Sequence, residues 1–324
     1  MTRTAALQPR ARAARAANAV PRRGRRHGRR QWAWASLMVA PMTIGLGIFY
    51  LWPIAQTFYY SFTHSGPFGG HTWTGTANYR ALADDPTVSR AVVNTLLYTV
   101  IQLAGIPLAI LVAALLNQKN LRGRAVYRVL YFLPAVTMPV AVAMLWRWMY
   151  DGNYGLVNYL LSTVGIHGPH WASDPGVALY ALAAIGIWMS LGYNMVIFLA
   201  GLQGIPTEYY EAARVDGAGP VRTFLRITVP LLTPNIFFVT VLTMINSLQM
   251  FDIAYMMMST PGSSAGAANP ALPSVRSISY LFFQKAFVEH DIGFGAAVAF
   301  ILVGFIVLMT LVQFRLQKRW VHYA

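Results

Sequence analysis

Apolar residues in this chain come in long blocks that no charge interrupts, and this pattern fixes the architecture more firmly than any periodicity. Eight stretches of eighteen or more residues lack Asp, Glu, Lys and Arg: 31–79, 91–118, 129–146, 152–173, 175–207, 227–251, 253–275 and 292–314. A charge at the centre of a spanning helix costs roughly 2.5 to 3.5 kcal/mol, so such windows mark membrane crossings. Two of the eight do not qualify. Residues 152–173 carry His167, Pro169, His170 and several glycines, and 253–275 dissolves after Met258 into STPGSSAGAANPALPS. Six transmembrane helices are left in an all-α membrane protein, near 32–58, 92–116, 126–149, 177–201, 231–257 and 293–315. Each exceeds the ~20 apolar residues that cross a ~30 Å hydrocarbon core. Pro41, Pro53, Pro107, Pro134 and Pro139 fall inside these helices. They are expected to kink rather than end them, because neighbouring helices and Ser or Thr can satisfy the freed carbonyls.

The cations then give an orientation. With the amino terminus inside, cytoplasmic stretches hold 20 of the 25 Lys and Arg, and the outside keeps Arg80, Arg90, Arg147, Arg276 and Lys285. Both termini are therefore expected in the cytoplasm. Composition agrees: 56% hydrophobic and 11% charged residues exclude an ordinary soluble domain and a disordered chain. The absence of cysteine excludes disulfides and thiolate chemistry. Residues 1–31 hold ten Arg and no acid, and predict a disordered basic cytoplasmic tail that touches anionic membrane lipid. No aromatic is interleaved to stack on bases, so no nucleic acid partner is expected. The membrane domain is placed at 32–316, and a cytoplasmic carboxy-terminal tail at 317–324.

Chemistry is sparse. There is no Gly-x-Ser-x-Gly, His-Glu-x-x-His or Gly-x-Gly-x-x-Gly, and all three lysines (Lys119, Lys285, Lys318) follow Gln, which excludes a phosphate loop ending in Gly-Lys. No catalytic residue, metal ligand or bound cofactor is expected. His167 and His170 with Asp174 read as a polar loop. An ion-coupled transporter or channel would need ionisable groups within the spans, and the one candidate is Asp252. Counted along a continuous helix from Leu231, it lies 21 residues on, about 31 Å away, at the far boundary of the core.

The segment at about 202–230, GIPTEYYEAARVDGAGPVRTFLRITVP within it, is too patterned to be a simple connector. Pro206 and Thr207 can open a short helix with Glu208 in its first turn, and Gly217 or Gly219 can supply the positive-φ stop. Pro220 suits the first position of a second short helix, which Pro230 should end.

These residues resemble the membrane-spanning permeases of binding-protein-dependent ABC importers. The signature of that family is Glu-Ala-Ala, three residues, Gly, nine residues, Ile, one residue, Leu, Pro. Here it reads Glu211, Ala212, Ala213, Gly217, Ile227, Val229 and Pro230, with Val229 for Leu as the single departure. The stretches NTLLYTV, YRVLYFLPAVTMPVAVAMLWRWMYDGNYGLVN, LGYNMVIFLAGLQGIPTEYYEAARVDGAG and SLQMFDIAYMM resemble the carbohydrate branch, related to maltose, multiple-sugar and glycerol-3-phosphate permeases. Members often read Thr-Gly-Gly-Gly-Pro after the fifth span, where this chain has the longer STPGSSAGAANPALPS.

The resemblance implies a type I importer permease fold in the bacterial inner membrane. It also implies that Glu211, Ala212, Ala213, Gly217, Ile227 and Pro230 couple to an ATP-binding subunit. Implied partners are a second permease, homologous but a different chain, two ATP-binding subunits that use ATP and Mg, and an extracytoplasmic substrate-binding protein. A sugar or related polyol would need amides, hydroxyls and aromatic faces along its path. Candidates are Asn246 and Gln249 on the fifth span, Ser190, Asn194, Trp188 and Tyr193 on the fourth, and Asp252. Ser190 and Asn194 read first as interhelical hydrogen-bond glue, worth about 0.6 to 2 kcal/mol each.

Overall fold

A computed structural model describes residues 25–65, 70–118, 121–259 and 269–321. The disordered tail expected at 1–31 therefore falls largely on residues outside this set, although the first helix already begins at Arg25. The chain divides into two units, residues 1–57 and 58–324. Five helical stretches are long and apolar enough to cross a membrane: Trp34–Tyr60, Pro86–Leu116, Ala178–Gln203, Thr233–Met258 and Ile292–Lys318. A sixth crossing exists only if the pair Arg124–Val136 and Pro139–Met149 counts as one.

That pair corrects the expectation for Pro139. The two helices meet at an angle of 100°, so the residues at 126–149 form two elements and not one kinked helix. Pro134 stays inside the first of them. Thr137 and Met138 are extended, with ψ of 141° and 130°, and Pro139 opens the second helix as its first residue. The ring of a proline pushes the preceding residue out of helical space, and here Thr137 has already left it, so the chain turns instead of bending.

Pro230 departs from expectation in the opposite direction. The helix from Pro220–Thr223 passes through a π turn at Phe224–Thr228, then Val229–Leu231, then Thr233–Leu248, and Leu232 between them keeps right-handed helical angles. Val229, just before the proline, donates its N–H five residues back to the Phe224 carbonyl. The same device precedes Pro53, where Trp52 donates to the Gly47 carbonyl. A π turn absorbs one extra residue and moves the proline out of the i to i−4 ladder that its missing N–H would break.

The Pro86–Ala104 helix stands at the centre of the larger unit, and it is tied to its neighbours by polar groups that are themselves buried. Asn94 Nδ2 donates to the carbonyls of Pro273 and Arg276, at 2.9 and 3.0 Å. Thr95 Oγ1 donates to the Ala91 carbonyl and accepts the Ile278 N–H. Gln102 Nε2 donates to the Ala183 carbonyl of the Ala178–Gln203 helix at 2.9 Å. The Ile278 N–H lies at the start of its helix, where no intrahelical acceptor exists, and Thr95 supplies the partner that an apolar environment would withhold.

Small residues set the helix crossings. A Cβ on Gly192 would lie 2.1 Å from the Tyr131 carbonyl oxygen and 2.8 Å from Phe132 Cα, so the Ala178–Gln203 and Arg124–Val136 backbones touch at this point. The apolar interior beside it includes Leu191, Met195, Phe198, Leu199 and Ile110.

Candidate functional site: a polar cavity and a short surface helix

A cavity of about 500 Å³ opens among Pro86–Ala104, Arg124–Val136, Pro139, Ala178–Gln203 and the Thr233–Met258 stretch, at the point where that stretch loses its helix. Thr233–Leu248 ends at Gln249, Met250 and Phe251 are irregular, and Asp252–Met258 starts a new helix. The break leaves carbonyls to satisfy, and Ser277 Oγ donates to the Met250 carbonyl at 2.6 Å. Asp252 is thus not at the end of an uninterrupted helix, as counting residues had placed it. It sits in the first turn of the second segment, where the helix dipole favours a carboxylate, and it lines the cavity.

Tyr193, Asn194, Asn246, Gln249 and Asp252 all line this cavity, and Ser190 joins them. Trp188 does not. Its ring packs edge-on against Trp146 at 5.6 Å, and it lines a separate crevice with Tyr127, Leu130 and Tyr131. Helical spacing explains the split, since Tyr193 and Trp188 are five residues apart and so point away from each other. Tyr98, Gln102, Thr243 and Ser247 line the cavity without having been singled out from sequence. The signal available was a glutamine and a tyrosine within a charge-free span.

The lining divides into groups already committed to the protein and groups left open. Ser190 Oγ donates to the Ile187 carbonyl, and Ser247 Oγ to the Thr243 carbonyl, both within their own helices. Asn246 and Gln249 are exposed and line the cavity, and their side-chain amides make no hydrogen bond within the described residues. Gly186 keeps the wall open, because a Cβ there would fall 2.3 Å from Gln102 Nε2 and 2.4 Å from Tyr98 Oη. Asn246→Leu removes an open amide without touching the packing. We expect it to raise the half-saturating substrate concentration or to change selectivity in uptake assays; identical kinetics across several sugars would make Asn246 a packing residue.

The second feature is the helix Thr207–Val215. Only Ala213 of this helix is buried, Glu208, Tyr209, Glu211 and Ala212 are exposed, and Val215 is 88% exposed. Gly217 supplies the left-handed turn at φ +71°, whereas Gly219 is extended, so of the two stop candidates Gly217 is the one used. The Ala218 N–H donates to the Ala213 carbonyl at 2.9 Å and closes the end of the helix. A bond of 3.2 Å between the Tyr210 hydroxyl and Thr228 Oγ1 fastens the short helix to the π turn. Ile227 and Pro230, on that same rod, are partly buried.

Residues 105–322 match the family model described as "Binding-protein-dependent transport system inner membrane component". The chain belongs to this family. It is 36% identical over 292 residues to the "Probable ABC transporter permease protein YesP" of Bacillus subtilis (strain 168), covering 88% of this chain and 90% of that one. It is 30% identical over 289 residues to the "sn-glycerol-3-phosphate transport system permease protein UgpA" of Yersinia enterocolitica, covering 89% and 95%. Among solved structures, a chain of a bacterial ABC transporter involved in import of the acidic polysaccharide alginate has the same fold, with a TM-score of 0.78 at 23% identity over 90% of this chain and 96% of that one. As a family member the chain is a multi-pass inner membrane transport component.

Proposed function

We propose that this chain is a permease subunit of an ATP-binding-cassette importer, through which a carbohydrate or related polyol enters the cytoplasm from an extracytoplasmic binding protein. The observation that carries this reading is the cavity at the break of the fifth apolar stretch. Its open groups are amides and a phenol, with one carboxylate, which suits a ligand rich in hydroxyls. The names of the relatives support it, since they include permeases for a phosphorylated polyol and, at the level of fold, a polysaccharide importer.

In this reading the chain pairs with a second, homologous permease and with two ATP-binding subunits, which bind and hydrolyse ATP with Mg. Both termini lie in the cytoplasm in this reading, which the distribution of Lys and Arg supports. The broken 124–149 pair counts as one crossing and brings the total to six. The Thr207–Val215 helix is the coupling element, and it offers Glu211, Ala212 and Val215 to a cleft of the ATPase while Gly217 fixes its turn. Exposed Val215 gives that contact an apolar centre.

Reconstitution decides between this reading and an ion-coupled carrier. In proteoliposomes containing both permeases, the ATPase and the binding protein, uptake is expected to require ATP. Uptake driven by a proton or sodium gradient without ATP would overturn the proposal.

A further inference from the structure

The Arg124–Val136 helix carries a second constellation, away from the sugar cavity. Arg124, Tyr127, Arg128 and Tyr131 fall at i, i+3, i+4 and i+7 and so share one face. Tyr127 and Tyr131 are common to two apolar crevices on the two sides of this face. One, of about 260 Å³, is lined also by Leu115 and Leu121, and the other, of about 250 Å³, by Leu130 and Trp188. Below them the helix begins at Gly123, in a left-handed conformation and with no side-chain cap. The Nε atoms of Arg124 and Arg128 are buried without an acceptor among the described residues, although one terminal nitrogen of Arg124 donates to the Gln118 carbonyl. Residues 86–150 contain no Asp or Glu, so this stretch of sequence offers the two guanidiniums no carboxylate.

We propose that this face binds one anionic, two-chain phospholipid. Its phosphate lies on Arg124 and Arg128 at the uncapped helix start, and its acyl chains enter the two crevices that flank the tyrosines. Each part accounts for something otherwise unexplained. The phosphate supplies the counter-charge that this stretch of sequence withholds from the two guanidiniums, with bidentate geometry available to Arg. The paired crevices match a ligand with two apolar tails and a single charged head. Basic pockets between membrane helices suit this ligand, because each cation at the surface contributes about a fivefold gain in affinity for anionic lipid.

The test uses the full chain purified in detergent, exchanged into nanodiscs of phosphatidylcholine carrying a low fraction of phosphatidylglycerol, with bound lipid counted by native mass spectrometry. Wild type is expected to retain one phosphatidylglycerol. Arg124→Gln and Arg128→Gln should each weaken retention about fivefold. Leu115→Trp, at a half-exposed position on the crevice wall, should reduce it by filling the space with both arginines intact. Circular dichroism of each variant shows that the helices persist. Equal retention by wild type and the double arginine variant overturns the proposal. Competition by millimolar inorganic phosphate as effective as by the lipid would make this a free-anion site instead. Loss of the lipid on assembly with the second permease would make the face a subunit contact, and the lipid assignment would fall.

Discussion

Replacing Glu211 by Ala, or Gly217 by Asp, is expected to abolish ATP-dependent uptake while leaving membrane insertion and yield near wild type. Glu211 is exposed and its carboxylate makes no hydrogen bond or ion pair within the described residues, so its removal takes away a surface charge without opening a cavity. Gly217 has free space around the position of a Cβ, so the cost of Asp there is backbone strain at φ +71°, of order 1–2 kcal/mol for a non-glycine residue. That sum is small for the fold, but it falls on the turn that sets the angle of the Thr207–Val215 helix. A docking element tolerates little misplacement, and errors near 1 Å can cost about 100-fold in function. Uptake and ATP hydrolysis should be measured together with co-purification of the ATPase. Full ATP-dependent uptake by either variant removes the coupling role from this helix.

The largest structural effect is expected at Gly192. An Ala there would press its Cβ into the Tyr131 carbonyl at 2.1 Å, against backbone on both sides of the clash, so no side-chain rotamer can relieve it. Overpacking of this kind costs typically about 1–3 kcal/mol, and more when backbone must move. The unfolding temperature of Gly192→Ala in detergent, read by fluorescence-detected size exclusion, should fall by several degrees, with a second drop in the yield of assembled complex. Gly304→Ala is the matched control, since its Cβ would meet nothing within 4 Å. Equal stability of the two variants would show that the helix crossing at Gly192 is looser than the structure describes.

Much of this was legible in the sequence because charge in hydrocarbon is so costly. The lack of Asp, Glu, Lys and Arg located the five stretches long and apolar enough to cross a membrane to within a few residues. The short helix was legible for a different reason: Pro206, Glu208 and Gly217 each do one local job, at the start, the first turn and the stop. What could not be read was what a given proline does in a membrane. Pro134 sits within a helix, Pro139 follows a 100° corner, and Pro230 sits in a run of helical turns that continues past it. The difference lies in the residues just before each: extended Thr137 and Met138 in one case, a π turn in the other. Those conformations depend on neighbouring helices, which one sequence does not reveal. The cavity shows the same limit. Asn194, Asn246 and Gln249 were visible as polar residues in apolar helices, but the break at 249–251 that brings Asp252 beside them is held by Ser277, 27 residues further on.

Pro220 to Leu248 is a run of successive helical turns, interrupted by the π turn at Phe224–Thr228 and by Leu232. Thr228 ties this run to the short surface helix through Tyr210, and its far end carries Thr243, Asn246 and Ser247 on the cavity wall. A displacement of the short helix therefore has a covalent, mostly helical path to the cavity, with the π turn and the prolines as the places where that path can bend. Beyond it lies the irregular stretch at Gln249 to Phe251, on the rim of the chamber itself.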